Sequence, residues 1–258
     1  MQMIPSSYII TLSTIMGAVF GSFTTMLVWR LHHDQKRIFW GRSKCPLCKN
    51  KLGPLQLVPI FSWLFQKGKC SFCKENIPAY YPLTELVFVL MFFLFSYKFH
   101  GTVEFLPMMV IVFFALVLFV YDTKFQEVDR RISIPAIFIA LIWAFFREIP
   151  FPDLLIGGMV GYLFYGIQYW VSRGRWVGAG DAELGVFMGL VLGWQLLIPA
   201  MFFAYILGLF VAVPLLLMGK ANGKTPLPMG AFLIPSLLLF FYNGQLILDW
   251  YMGLLGLI

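Results

Sequence analysis

The sequence predicts an all-α membrane protein that crosses the bilayer several times. Of its 258 residues, 60 % are hydrophobic and only 12 % are charged, and the mean hydropathy is +0.83. A soluble domain carries about 25 % charged residues, so a water-soluble globule is excluded. The apolar residues form long continuous stretches, whereas a transmembrane β-barrel shows alternating segments of about ten residues. We therefore expect a bundle of helices in lipid.

Eight apolar stretches are the candidate transmembrane helices. They cover residues 8–29, 83–98, 103–121, 134–147, 154–171, 182–194, 196–218 and 229–247. Several are shorter than the roughly 20 residues that cross a bilayer upright, so we expect short or partly re-entrant helices among the fourth, sixth and eighth. The predicted organisation is a first span in 1–29, a basic loop in 30–82 and a multi-span domain in 83–258.

The net charge of +7 is concentrated in the loop that follows the first span. Residues 30–80 contain ten Lys and Arg residues and two acidic residues, while the rest of the chain is nearly balanced. Cytoplasmic loops of membrane proteins carry an excess of Lys and Arg. With this loop inside and sides alternating thereafter, seventeen basic residues lie inside and only Lys98 and Arg147 lie outside. This predicts eight spans with both termini outside, and a loop that contacts anionic lipid rather than nucleic acid.

All four cysteines of the chain lie in that basic loop. Cys45, Cys48, Cys70 and Cys73 form the pattern C-x2-C-x21-C-x2-C. Two residues between thiolates allow one tight turn to present both sulfurs to a tetrahedral ion, and two such turns complete a closed, structural zinc site. Disulfides or free thiols are the alternative, and a reducing cytoplasm disfavours the disulfides.

Two aspartates border apolar runs at what the topology makes the cytoplasmic end of their spans. Asp122 follows the run that ends at Tyr121, and Asp181 precedes the run that starts at Ala182. Charges near membrane depth are costly and mark function. Two aspartates that converge there could share a proton, one acting as a base on water and the other as an acid. From position alone, each could instead be an interfacial charge at a helix end.

The residues around these aspartates favour the catalytic interpretation. Asp181 ends the run Gly178-Ala179-Gly180-Asp181, in which Gly178 and Gly180 let the backbone bend and approach a neighbour closely. Together with the pair Tyr121-Asp122, this run has the pattern of the GxGD membrane aspartyl proteases.

Further motifs extend the resemblance over most of the chain. The sequence resembles the type IV prepilin peptidases, which combine a leader peptidase with an N-methyltransferase. The resemblance is carried by the two cysteine pairs, by the two aspartates and by three further elements, Gly21-Ser22-Phe23, Tyr81-Pro82-Leu83-Thr84-Glu85-Leu86 and Pro226-Leu227-Pro228-Met229-Gly230.

This resemblance implies a substrate, a reaction and a location. The substrate is a prepilin or pseudopilin with a short basic leader followed by an apolar helix, cleaved at the cytoplasmic face of the bacterial inner membrane. Asp122 and Asp181 are the implied catalytic pair. Methylation of the new N-terminus by S-adenosylmethionine is implied by the resemblance alone, and Gly68 and Lys69 are the residues carried over for it.

The chain departs from the family pattern at three places. Thr25 stands where the family usually has asparagine, and Glu183 stands where it commonly has lysine. The segment 127–131 is one residue shorter than in the family and lacks a proline, which leaves Asp129 as an alternative to Asp122. We favour Asp122, because Asp129 is followed by two arginines that could pair with it.

Other classes of membrane protein remain as alternatives. Presenilin and signal peptide peptidase share the two-aspartate motif, but they would not bring the cysteine pairs. A proton- or cation-coupled transporter would place acidic residues at mid-span, and the predicted spans contain none there. A zinc-bearing membrane scaffold would not need two aspartates at one depth.

Overall fold

A computed structural model describes residues 5–34, 38, 41–147, 149–220 and 227–254, so Lys36 and Arg37 of the basic loop and Pro226 lie outside the described residues. Apart from two isolated β-bridges, the regular structure of the described part is helical. The helices are α1 (Ser6–His32), α2 (Phe61–Phe65), α3 (Tyr80–Phe99), α4 (Phe105–Phe125), α5 (Arg130–Ala144), α6 (Phe151–Ser172), α7 (Ala179–Leu217) and α8 (Gly230–Leu254), with a 3-10 turn at Pro54–Leu57.

The prediction of an all-helical membrane protein is confirmed. Among the described residues, six helices are long and apolar enough to cross a bilayer, namely α1, α3, α4, α6, α7 and α8. The fourth predicted span corresponds to α5, which has only 15 residues. The sixth and seventh predicted spans lie together in the 39 residues of α7. The count of eight crossings therefore stays a prediction.

The chain forms two compact units, Met1–Phe113 and Phe114–Ile258. In the first unit, α1 and α3 are in close contact at two glycines of α1. A Cβ atom would lie 2.8 Å from the carbonyl oxygen of Phe88 if added to Gly17, and 2.7 Å from the Cα of Glu85 if added to Gly21. Small residues allow such an approach in lipid, where helices pack through van der Waals contact rather than the hydrophobic effect.

The centre of the second unit is the contact between α6 and the first part of α7. Gly157 of α6 lies against Gly189 of α7, and Gly161 lies against Gly185. A Cβ atom added to Gly157 would be 2.6 Å from the carbonyl oxygen of Gly189, so the two backbones touch. Within each helix the two glycines are four residues apart, which is the spacing of small-residue helix contacts in membranes. The first part of α7 therefore runs antiparallel to α6.

The helix α7 turns back on itself at Gly193. This residue has φ 74° and ψ 165°, a conformation that glycine adopts readily. The hydroxyl of Tyr205 donates to Oε1 of Gln168 at 3.1 Å. A straight helix would carry Tyr205 about 18 Å beyond Gly193 and away from Gln168. The contact requires the second part of α7 to run opposite to the first.

The helix α8 packs antiparallel to the second part of α7. The hydroxyl of Ser236 donates to the carbonyl oxygen of Ala200, and a Cβ atom added to Gly208 would lie 3.5 Å from the ring of Phe232. The first residue of α8, Gly230, therefore lies at the same end of the unit as the beginning of α7. This end contains the candidate active site.

Candidate active site

Asp122 lies in the last turn of α4 and is almost fully buried, with 3 % of its surface exposed. Its Oδ2 accepts the backbone N–H of Ala231, the second residue of α8, at 2.9 Å. The first N–H groups of a helix have no partner within the helix and carry partial positive charge. The start of α8 therefore orients the carboxylate of Asp122.

Asp181 is the third residue of α7 and is also buried, with 6 % of its surface exposed. Its Oδ2 accepts the backbone N–H of Gly178 at 2.7 Å, so the side chain caps its own helix. The carboxylates of Asp122 and Asp181 lie close enough to interact electrostatically, although 59 positions separate them in the sequence. The structure thus brings together the two aspartates that the sequence predicts as a pair.

Two glycines allow the close packing around these carboxylates. A Cβ atom added to Gly230 would lie 2.8 Å from both Cγ and Oδ2 of Asp122, and one added to Gly180 would overlap the side chain of Val128. Gly178 differs, because its φ of −78° suits any residue and its nearest contact would be Asp181 Oδ2 at 3.6 Å. The expectation of close backbone approach therefore holds for Gly180 and has no steric basis at Gly178.

Asp129, the alternative first aspartate, is paired with Arg131. It is the N-cap of α5 and accepts the backbone N–H of Arg131 at 2.8 Å. The guanidinium of Arg131 donates to the same carboxylate at 2.7 Å. Burial opposes ionisation of Asp129, but these hydrogen bonds outweigh it and lower the pKa of the carboxyl group. Its bonding is that of a structural cap.

Glu183 and Thr25, two residues that depart from the family pattern, both form hydrogen bonds in the structure. Glu183 accepts a hydrogen bond from Arg130 Nε at 2.7 Å and another from the hydroxyl of Ser133, which ties α7 to the start of α5. Thr25 is buried, and its hydroxyl donates to the carbonyl oxygen of Ser22 within α1 at 2.8 Å.

A tyrosine that the sequence analysis did not single out lies beside Asp181. Tyr165 of α6 is fully buried and packs on Gly185, one turn beyond Asp181. Its hydroxyl interacts electrostatically with Asp181 and with Tyr205, yet it has no hydrogen-bond partner of good geometry among the described residues. The sequence does not distinguish Tyr165 from Tyr162 and Tyr169 of the same helix, because only the packing of α6 on α7 places it beside Asp181.

The four cysteines converge as the sequence predicts. Their sulfur atoms all lie within 4.8 Å of one another, and the sulfurs of Cys45 and Cys73 are 3.9 Å apart. A tetrahedral ion with bonds of about 2.3 Å requires sulfurs about 3.8 Å apart. The two pairs have the same local structure, in which the N–H of Cys45 donates to Asn50 at 3.0 Å and that of Cys70 donates to Glu75 at 2.8 Å.

The cysteine sulfurs have the electrostatics of a metal site. The backbone N–H groups of Cys73 and Phe72 point at the sulfur of Cys70 and lower the pKa of its thiol to about 7. The N–H of Glu75 favours the thiolate of Cys73, but burial and the neighbouring thiols raise the pKa of Cys73 to about 11. Several thiolates at this distance repel one another, so a cation among them stabilises all four. The donor set therefore fits a divalent metal with a preference for sulfur.

Gly68 and Lys69, carried over for methyl transfer, lie in the turn before the second cysteine pair. Gly68 has a φ of +67°, which favours glycine, and a Cβ atom there would lie 3.0 Å from the ring of Trp63. Its N–H donates to the carbonyl oxygen of Trp63 at 2.9 Å. Lys69 is exposed. The structure thus gives Gly68 a role in the turn and leaves Lys69 accessible.

Comparisons with known proteins agree with this architecture. The model of the bacterial peptidase A24 N-terminal domain matches residues 15–99, and that of the type IV leader peptidase family matches residues 109–213. The first match contains the cysteine pairs, and the second contains both buried aspartates. No solved structure matches the chain.

Several curated proteins that carry the name prepilin leader peptidase/N-methyltransferase are similar to this chain over most of its length. The protein from Bacillus subtilis is 31 % identical over 240 residues, which cover 92 % of this chain and 95 % of the relative. That from Pseudomonas putida is 28 % identical and covers 88 % of both chains. That from Dichelobacter nodosus is 32 % identical over 79 % of this chain and 72 % of the relative. The protein therefore belongs to the type IV leader peptidase family.

Proposed function

We propose that this protein is a membrane-embedded aspartic endopeptidase that removes the leader of type IV prepilins or pseudopilins. The observation that carries the proposal is the pair of buried carboxylates, Asp122 and Asp181, each held by a backbone N–H at one end of the helical unit. Burying two acidic groups together is costly, which marks the pair as functional. The names of the relatives supply the substrate class.

The chemistry is a hydrolysis in which the pair shares one proton. The ionised aspartate takes a proton from water while the water oxygen attacks the scissile carbonyl carbon. The protonated aspartate donates a hydrogen bond to the developing oxyanion. When the C–N bond breaks, the leaving amine takes up a proton from the pair, and the leader leaves with a carboxylate. The N–H groups of Ala231 and Gly178 each hold Oδ2 of one carboxylate and so orient the pair towards the water and substrate.

Substitution of the aspartates tests this proposal. Membranes that contain Asp122→Asn or Asp181→Asn should fail to cleave a prepilin, while Asp129→Asn should retain cleavage. All three changes replace a carboxylate with an amide of the same size, so they serve as controls for one another. Full cleavage by either of the first two variants would refute the catalytic pair, and loss in Asp129→Asn alone would transfer the role to Asp129.

The active site is proposed to open at the cytoplasmic face of the bacterial inner membrane, with both termini on the outer side. Lys124, Arg130, Arg173 and Arg175 all lie in the segments beside Asp122 and Asp181, and basic residues mark the cytoplasmic side. A substrate with a basic leader and an apolar helix would present its cleavage site at this level. Replacing the leader lysines of a prepilin with glutamines tests this, because cleavage should then slow.

The cysteine cluster is proposed to bind structural zinc. Four thiolate ligands leave no open position for a water or substrate, so the metal would hold the two cysteine turns together and supply no chemistry to the cleavage. Purified protein should contain one zinc ion, and both Cys45→Ser and Cys70→Ser should lose it. Metal-free wild-type protein would refute the site.

The second proposed activity is methylation of the new N-terminal amine. S-adenosylmethionine would supply the methyl group, and the amine nitrogen would lose a proton as it accepts that group. Lys69→Gln should lower methylation and leave cleavage intact. The matched control is Lys44→Gln, because Lys44 precedes Cys45 as Lys69 precedes Cys70. Equal methylation by both variants would exclude Lys69 from this activity.

A further inference from the structure

The loop between α1 and α3 contains exposed apolar side chains that nothing in the described protein covers. Leu55 and Phe65 are 82 % and 84 % exposed, and Phe61 and Leu64 are 58 % and 56 % exposed. Leu55, Val58, Phe61 and Phe65 line one groove. These four residues and Leu64 are called the apolar ridge below. A patch of this kind marks an interaction site rather than a solvated surface.

The ridge is fixed at the point where α3 enters the membrane. Oε2 of Glu85, the sixth residue of α3, accepts the backbone N–H of Ile60 at 2.6 Å. The indole N–H of Trp63 donates to the carbonyl oxygen of Ile77 at 3.0 Å. Ile60 has a φ of +63°, which a β-branched residue rarely adopts, so the bond to Glu85 holds an unfavourable backbone. The ridge therefore cannot move far from the first turns of α3.

The residues around the ridge are those of a membrane interface. Tyr80 and Tyr81 begin α3, and such aromatic residues collect at the level of lipid headgroups. Six exposed lysines belong to the same loop, against two acidic residues, Asp34 and Glu75. They are Lys44, Lys49, Lys51, Lys67, Lys69 and Lys74. An apolar face with basic neighbours is typical of segments that lie in the plane of an anionic membrane surface.

We propose that the apolar ridge inserts into the headgroup and acyl boundary of the bilayer that α3 crosses, with the neighbouring lysines against anionic headgroups. The loop is then attached to the membrane by α1, by α3 and by the ridge. This third attachment keeps the cysteine cluster at the membrane surface. The occupant of the groove is lipid, and an apolar segment of a peptide substrate is the competing occupant.

The test uses the full-length protein in vesicles of phosphatidylethanolamine and phosphatidylglycerol. Trifluoromethylphenylalanine is placed at Phe65, and its fluorine signal is measured with nitroxide-labelled lipid or with a water-soluble gadolinium chelate. Phe93 of α3, which is 40 % exposed along the span, is the lipid-facing control, and Thr102, exposed in the turn after α3, is the water-facing control. We expect the label at Phe65 to broaden with nitroxide lipid as at Phe93.

Three results would overturn the proposal. They are broadening by the chelate as at Thr102, equal broadening by both reagents, and protection from the chelate only after a prepilin is added, which would assign the groove to substrate.

A second measurement keeps the proposal testable if a label at Phe65 disturbs folding. Hydrogen exchange of residues 54–66 should speed up at least about fivefold in the variant Leu55→Ser, with zinc content unchanged. Leu47→Ser is the matched control, because Leu47 is 64 % exposed but belongs to the first cysteine turn. Unchanged exchange in Leu55→Ser, or the same acceleration in both variants, would contradict a lipid contact at the ridge.

Discussion

Each of the two paired aspartates accepts a backbone N–H at the start of a helix, from Ala231 for Asp122 and from Gly178 for Asp181. Backbone donors hold a carboxylate in place without adding a full positive charge beside it. A lysine or arginine there would favour ionisation of both groups, whereas the proposed chemistry needs one proton on the pair. The groups that orient the two carboxylates are therefore backbone N–H groups at the starts of α7 and α8.

Gly230→Ala should lower prepilin cleavage at least about tenfold, which corresponds to a barrier higher by about 1.4 kcal/mol. The reason is that the new Cβ would lie 2.8 Å from the carboxylate of Asp122 and displace it. Gly178→Ala is the control, since its Cβ would meet Asp181 Oδ2 at an ordinary 3.6 Å. Initial rates with both variants check this, and an equal loss in both would contradict the steric argument.

Tyr165→Phe should leave the thermal unfolding midpoint unchanged or slightly raised, because the buried hydroxyl makes no hydrogen bond of good geometry among the described residues. If the hydroxyl contacts water or substrate beside Asp181, the catalytic rate constant should fall about tenfold, the size of one lost hydrogen bond in the transition state, with KM unchanged. Wild-type cleavage rates in Tyr165→Phe would give the tyrosine a packing role only.

Asp129→Ala should destabilise the protein by about 1 kcal/mol through loss of the N-cap, and Asp129→Asn should cost less because asparagine also caps helices. The lowered pKa of Asp129 sets the pH dependence. Its stabilisation is complete above the pKa of an unfolded aspartate, about 3.9, and disappears as pH falls through the lower folded value. Unfolding midpoints of wild type and Asp129→Ala should therefore converge in acid. A difference that grows in acid would contradict the pairing with Arg131.

At the scale of helices, the contact between α6 and α7 is made by backbone atoms. The glycines at 157, 161, 185 and 189 replace the interlocking side chains of a soluble core. This packing places the beginning of α7, and with it Asp181, against the helix that carries Tyr165. Hydropathy detects these helices as apolar, but it does not detect which face of each helix makes the contact.

Gly161→Ala should destabilise the second unit by about 1–3 kcal/mol, the usual cost of forcing an extra methyl group into a packed contact, because its Cβ would overlap the backbone of Gly185. Gly166→Ala on the same helix is the matched control, since a Cβ there meets nothing within 4 Å. That change should be neutral or slightly stabilising. Thermal unfolding in detergent measures both, and equal midpoints would contradict the close backbone contact.

For the whole molecule, the apolar stretches predict eight crossings of the membrane, and the distribution of charge predicts on which side each connecting segment lies. Eight crossings place residues 147–150 on the outer side, whereas a chain in which only the six long helices cross would leave them inside with Lys124. The turn at Gly193 divides α7 into two opposite segments, as eight crossings require.

Alkaline phosphatase inserted after Arg147 should therefore be active outside, as should an insertion after Gly101, while one after Arg175 should be inactive. Activity after Gly101 but not after Arg147 would contradict the eight-span topology and would make α5 a helix that enters and leaves on one side. All three insertions carry the same reporter, so an immunoblot shows whether a low activity reflects the location of the reporter or a low level of expression.

Features that depend on local composition could be predicted from the sequence alone. These features are the apolar stretches, the basic loop, the spacing of the four cysteines and the two aspartates that border apolar runs. Each can be interpreted from residues close together in the sequence and from one physical preference, such as the cost of a charge in lipid or the geometry of a metal ion. Asp129 could also be interpreted locally, since its partner Arg131 is two residues away. The motifs then identified the family.

What the sequence left open depends on contacts between distant segments. Only the tertiary structure shows that Ala231 holds Asp122 across 109 positions, that Tyr165 lies beside Asp181, and that α7 reverses at Gly193. Glycines give no chemical signal of their own, and a tyrosine in an apolar helix looks like any other core residue. The physical reason is that composition determines which segments enter the membrane, whereas close packing of particular helix faces determines which side chains meet there.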